Sequence, residues 1–187
     1  MRPVRDVRLQ VGTTVLLFVI AGLVGGVAWR LLVTLPTYTR TVDNGAMDAV
    51  QLSAGVAIDG WYAVIAAVVG FLLAAGLTLW TARSARLNVL LVVLGGAMAG
   101  LVMLEVGRLL SPGDLEGRLA AAKVGESVAV PLVPNADTIS VLGLSVPVIF
   151  MIWPLAALAG VAVTLLCGRA PGPDLDPPAT QRSHAHS

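Results

Sequence analysis

Four stretches of the chain, at about residues 9–35, 59–80, 87–110 and 146–167, are apolar almost without a break, and polar residues gather between them. A helix rising about 1.5 Å per residue needs only ~20 residues to cross a bilayer's hydrocarbon core. Each stretch meets that length, so the pattern predicts an all-α membrane fold with four transmembrane helices. Between the third and fourth stretches, residues 111–145 change character. Ser111 and Pro112 stop a helix, Leu115, Leu119 and Ala122 recur at helical spacing, and SVAVPLV and TISVLGL alternate on either side of the turn-like PNAD. They predict a small cap of one short helix and one hairpin, with Pro131 confining the first strand to an edge. The loop at residues 36–58 contains the weakly apolar AMDAVQLSAGVAI, which reads as at most a half-turn of interfacial helix. The membrane domain is thus expected over residues 1–167. The tail 168–187, rich in proline and polar residues, has too little apolar surface to order itself.

Composition sharpens this. Of 187 residues, 57% are hydrophobic and 12% charged, with a mean hydropathy of +0.87, whereas a soluble domain carries about 25% charge. The net charge of +1 informs only when divided by the spans. One side holds Arg2, Arg5, Arg8, Arg83, Arg86, Arg169 and Arg182 against Asp6, Asp174 and Asp176. The other holds Arg30, Arg40, Arg108, Arg118 and Lys123 against eight carboxylates. Basic residues in short loops stay in the cytoplasm, so both termini are expected there and the cap outside. The first stretch is too long for a signal peptide and lacks a small-residue cleavage site, so it reads as a retained helix. Arginine outnumbers lysine eleven to one, a bias of GC-rich bacterial genomes. The expected location is a bacterial inner membrane.

Laid on itself with an offset of 78 residues, the chain aligns Arg5, Arg8, Gly22 and Arg30 with Arg83, Arg86, Gly100 and Arg108, among 13 identities in 28 positions. Two apolar helices share many residues by chance; three matched arginines weigh more. The match predicts two parallel-repeated helical hairpins turned about an axis along the membrane normal. The alternative is shared composition with basic flanks.

Small residues let helices approach closely in lipid. Gly22 and Gly26, Gly96 and Gly100, and Ala66, Gly70 and Ala74 each share a helix face and are expected to form seams inside the bundle, homodimerisation being the other reading. Charges near the hydrocarbon are costly and rarely carried without a role. Arg30, Asp59, Glu105 and Arg108 all approach the outer interface. They form a candidate charged network for an ion, a lipid headgroup or a partner helix, with Asp59 opening the second helix and Glu105 facing protein. The bland reading has the arginines snorkelling to phosphates with the carboxylates paired to them. Trp29, Trp61, Tyr62 and Trp153 at outer helix ends, with Trp80 at an inner one, read as an aromatic belt. Pro154 is expected to bend the fourth helix.

No catalytic residue, metal site or cofactor is expected. The one cysteine, Cys167, has no partner in the chain, and His184 and His186 fall in the tail. The glycine pairs lie in mid-span without the strand-to-helix setting of a phosphate loop. No nucleic-acid partner is expected.

The opening DGWYAVIAAVVG, the inner loop TARSARLN, the exit GRLLSPGD, and the segments AVPL and WPLAAL together resemble a group of small actinobacterial integral membrane proteins of unknown function. The resemblance covers about residues 9–167 and implies a four-helix inner-membrane protein without implying an activity. The expected function is a non-enzymatic accessory or scaffold protein that contacts the bilayer and an envelope partner, or a second copy of itself. The alternative is a small transporter component with Glu105 as coupling residue.

Overall fold

The computed structural model describes residues 3–42, 45–46, 49–80, 85–134, 138–141 and 144–167. The expected tail disorder and the inner loop at residues 81–84 lie outside these. Five helices and five short strands follow in order: α1 (Pro3–Leu32), β1 (Thr37–Arg40), β2 (Gly45–Ala46), α2 (Ala49–Trp80), α3 (Ala85–Leu109), α4 (Leu115–Ala121), β3 (Ser127–Ala129), β4 (Thr138–Val141), β5 (Leu144–Pro147) and, after a 3-10 turn (Val148–Met151), α5 (Ile152–Cys167). Four segments, Val7–Leu32, Ser53–Trp80, Leu87–Leu109 and Val148–Cys167, are long and apolar enough to cross a membrane. Their apolar windows are only 22–44% buried within the protein, and Leu16, Leu23, Leu72, Leu94, Leu101 and Leu155 all point outward. A helix apolar on every face requires an apolar surround. The architecture is that of a multi-pass membrane protein.

Local chemistry sets the boundaries. Pro3 opens α1, where a missing N–H costs nothing. The Ser111 hydroxyl closes α3 by donating to the Arg108 carbonyl at 2.9 Å. Asp114, with φ 44°, caps α4 by accepting from the Gly117 amide at 3.1 Å. Three expectations are corrected. First, α2 begins at Ala49, not residue 59. Its hydrogen-bond ladder has no reason to stop at a membrane edge, so the segment expected as at most a half-turn of interfacial helix is the start of α2. Its 32 residues reach ~48 Å, well beyond a hydrocarbon core of about 30 Å. Second, β3 pairs with β1, matching Thr37 to Ala129 and Thr39 to Ser127, while β4 pairs with β5. The expected pairing of SVAVPLV with TISVLGL is thus replaced by β3 on β1 and β4 on β5, and TYTR, read as loop, is a strand, as its aromatic and β-branched residues suit. Third, Pro154 is the third residue of α5 and follows directly on the 3-10 turn Val148–Met151, so it stands where the helix type changes near the start of the span rather than about two turns inside a regular α-helix.

In the bundle α1 lies along α3, α3 against α5, α5 along α2, and α2 against α1. The α1 and α3 helices run parallel at one level. Phe18 meets Gly95, Gly22 meets Ala99, Gly26 meets Met103, and Trp29 meets Gly107. These pairs stand 77 or 78 residues apart, close to the offset that aligns the two sequences. The repeat's mismatches fall where the helices touch: Trp29 opposes Gly107 and Gly25 opposes Met103, so one helix supplies a knob where the other leaves a hole. The α2 and α5 helices are parallel neighbours too, Gly160 lying against the Phe71 carbonyl. A half-turn exchanging the hairpins about an axis between α1 and α3 would carry α2 away from α5. The hairpins instead stand side by side, α1 along α3 and α2 along α5.

Candidate functional site

Because α1 and α3 are parallel, their C-terminal ends reach the same face together and carry three of the four expected site residues. Glu105 and Arg108, three apart on α3, form an ion pair with Nη1 to Oε1 at 3.1 Å. Arg30, in the last turn of α1, donates from Nε to the Leu110 carbonyl at 3.1 Å, which ties a cation to the carbonyl-rich end of α3. Asp59 lies half-buried inside α2 rather than opening it, and makes polar contacts of its own. It follows Ile58, whose carbonyl accepts from Trp29 Nε1 at 2.9 Å, so the backbone brings all four residues to one level. Glu105 does not face protein as expected. Its side chain is 64% exposed and that of Arg108 54%. The pair lies on the outside of the bundle, where the two ends compensate each other.

Directly over these helix ends sits the cap. Leu132 is fully buried, packed with Trp29 where Gly107 leaves room. The Val130 amide donates to the Pro36 carbonyl at 2.8 Å, the Arg40 amide to Glu126 at 2.9 Å and the Gly125 amide to Arg40 at 2.8 Å. Arg118 of α4 donates to the Ala129 carbonyl at 3.0 Å. The cap is thus tied by main-chain bonds to the segment that follows α1 and by one buried leucine to the bundle, leaving Asp114, Glu116, Lys123 and Glu126 on its surface.

The aromatic residues expected as a belt divide. Trp61 and Trp80 are exposed, as a belt requires, but Trp29, Tyr62 and Trp153 are fully buried. The Trp29 and Tyr62 rings meet edge to face at 5.2 Å and 73°, the Tyr62 hydroxyl donates to the Gly100 carbonyl at 3.3 Å, and the Trp153 indole lies among Gly25, Gly70 and Gly100. With Phe18 and Met103 they fill the bundle centre. Trp29 is seated over Gly107 and Trp153 over Gly25, Gly70 and Gly100, a pairing of rings with small residues on other helices that hydropathy alone does not mark.

Compared with protein-family models, with curated proteins and with solved structures, the chain finds no match. Its function is therefore argued from its own residues. A second polar group, which the hydropathy pattern concealed, lies at the other end of the bundle. Asn88, buried, donates from Nδ2 to the Thr78 hydroxyl at 3.0 Å, which in turn donates to the Ala74 carbonyl at 2.8 Å. On the outer faces of α2 and α5 a groove of about 480 Å³ is lined by Ala67, Val68, Phe71, Leu72, Ala156 and Ala159, a shape without polar chemistry. Among the described residues no three histidines, cysteines or carboxylates converge as metal ligands.

Proposed function

We propose that this chain is a non-enzymatic accessory or scaffold protein of a bacterial inner membrane, acting through its outer face on an envelope partner or lipid, as its resemblance to the small actinobacterial group suggests. The observation that carries this reading is the cap. A folded, main-chain-bonded platform is fixed over the helix ends and presents charge outward, while the interior beneath it is filled by Trp29, Tyr62, Trp153, Phe18 and Met103. A single chain packed in this way favours contact over conduction. The transporter alternative would need a path between copies, because Glu105 lies outside the bundle.

Glu105→Gln tests both. A scaffold is expected to keep its fold with a loss of at most about 1 kcal/mol, since exposed pairs contribute little, and to lose partner or lipid retained through the outer face in a native purification. A coupled transporter would assemble normally but stop moving its substrate into vesicles. A Gln variant unchanged in both assays sinks the assignment of Glu105. The orientation follows from arginine asymmetry, and reporter fusions at Ala82 and Lys123 are expected to give opposite signals. Equal signals would overturn the proposed orientation.

A further inference from the structure

Leu94, Met98, Leu101, Glu105 and Arg108 are all exposed on the face of α3 turned away from the bundle, and they follow one another at steps of four, three, four and three residues. That alternation is the heptad spacing by which one helix lies along another. The opposite side of α3 is already occupied: Gly95, Ala99, Met103 and Gly107 meet α1, and Gly96 and Gly100 meet Pro154, Trp153 and Phe150. The glycines that could have joined two copies are thus spent inside. On α1 the positions 78 residues earlier, Leu16, Ile20, Leu23 and Val27, are exposed as well, but they are apolar throughout and acyl chains solvate them. Glu105 makes α3 different. The middle of the span Leu87–Leu109 falls near residue 98, so Glu105 stands about 10 Å from it, inside the ~15 Å half-thickness of a hydrocarbon core. An ionised pair turned to lipid at that depth is costly. Arg108 reaches back toward the middle of the span, with Nη1 at 3.1 Å from Glu105 Oε1, and among the described residues neither side chain has another partner.

We propose that two copies of this chain pair through the outward face of α3, side by side in the membrane, with Glu105 and Arg108 of each copy closing a ring of four charges with those of the other. The inference rests on the reading of the four helices as membrane spans, and not on any contact made by the cap. Copies inserted with one topology are related by a two-fold axis along the membrane normal, which brings equal depths together. Leu94, Met98 and Leu101 then form the core layers of a left-handed pair crossing at about 20°, and Glu105 and Arg108 occupy the two layers beyond. Each Arg108 lies three residues, about 4.5 Å along the axis, from the level of Glu105, so it spans its own carboxylate and that of the second copy. Two acids and two bases leave the ring neutral. The face is therefore complementary in charge to itself, as an isologous interface requires, and polar residues at core positions fix its register. Val27 gives α1 no such ring, and the groove on α2 and α5 is lined by apolar residues alone. Lipid satisfies both of those faces.

The test uses the full chain in a neutral detergent and in liposomes, with particle mass measured by native mass spectrometry. The parent chain is expected to be a dimer. Glu105→Arg and Arg108→Glu each leave the ring with charges of one sign, and each is expected to weaken pairing at least about tenfold. Expressed together with different tags, the same two variants are expected to co-purify as a mixed dimer, because one then brings two bases and the other two acids. The unfolding midpoint of each variant alone checks that it is folded. A second measurement leaves the charges in place: in a Cys167→Ser background, Leu101→Cys is expected to cross-link between copies in liposomes under mild oxidation, whereas Leu23→Cys, its counterpart on α1, is not. A monomeric parent chain overturns the proposal, as do charge variants that pair like the parent, a mixed dimer that does not form, or cross-linking at position 23 equal to that at 101. An envelope partner retained by a monomeric chain sinks this inference and spares the outer-face reading, while a dimer with the expected variants that retains no partner does the reverse.

Discussion

Gly22→Ile is expected to open the seam between α1 and α3 and to lower stability by about 3 kcal/mol, at the upper end of what overpacking costs. A Cβ at Gly22 would stand 2.6 Å from the Ala99 carbonyl oxygen and 3.0 Å from the Val102 Cβ. The first obstacle is backbone, which no rotamer change can move aside, so the helices must separate. One turn on, a Cβ at Gly26 would meet Val106 at 2.7 Å, so little slack exists along the seam. Gly12→Ile and Gly76→Ile are the controls, because nothing lies within 4 Å of a Cβ at either. Both are expected to leave the unfolding midpoint in mixed micelles nearly unchanged. If Gly22→Ile matches these controls, α1 and α3 do not pack through this face. If it instead halves the particle mass without destabilising the monomer, the glycines join two copies rather than two helices.

Trp29→Ala carries the second large effect, a loss of about 3 to 5 kcal/mol in the range for buried tryptophans. The indole touches α2, α3 and the cap. It donates to the Ile58 carbonyl in α2, meets the Tyr62 ring, fills the space above Gly107 in α3 and packs with Leu132 of the cap. In lipid the penalty comes chiefly from lost packing, since acyl chains solvate apolar groups as well as the core does. Trp29→Phe keeps most of the contact area and leaves only the carbonyl without its donor, a loss of about 1 kcal/mol. Limited proteolysis gives a second readout: Trp29→Ala should expose the cap at residues 122–134 to cleavage before the bundle unfolds, because Leu132 loses one wall of its pocket. A cap as resistant as that of the parent chain would show that main-chain bonds hold it without the indole.

The membrane architecture was legible in hydropathy alone. A run of ~20 apolar residues has few stable homes other than a bilayer, and no tertiary contact is needed to read it. Much of the charged locus was legible as well: Glu105 and Arg108 pair because positions three apart on a helix are neighbours, whatever surrounds them. Helix starts were less readable. Asp59 looked like a boundary because charge marks a membrane edge, while the hydrogen-bond ladder of α2 answers to backbone continuity and runs on from Ala49.

What only the tertiary structure decided is which helix faces which, and every correction follows from that. Hydropathy treats all lipid-compatible residues alike, so it cannot tell a tryptophan at the interface from one seated over a glycine of another helix. Trp61 and Tyr62 are adjacent in sequence, yet one is exposed and the other fully buried. Glu105 is turned outward because Met103, Leu104 and Gly107 take the inward faces of α3. The strand partner of β3 lies in the segment after α1, and the two meet only once α1 and α3 stand parallel and deliver their following loops to one place. Shape complementarity between glycines and rings chose that pairing, and shape is a property of pairs of helices, which no single stretch of sequence carries by itself.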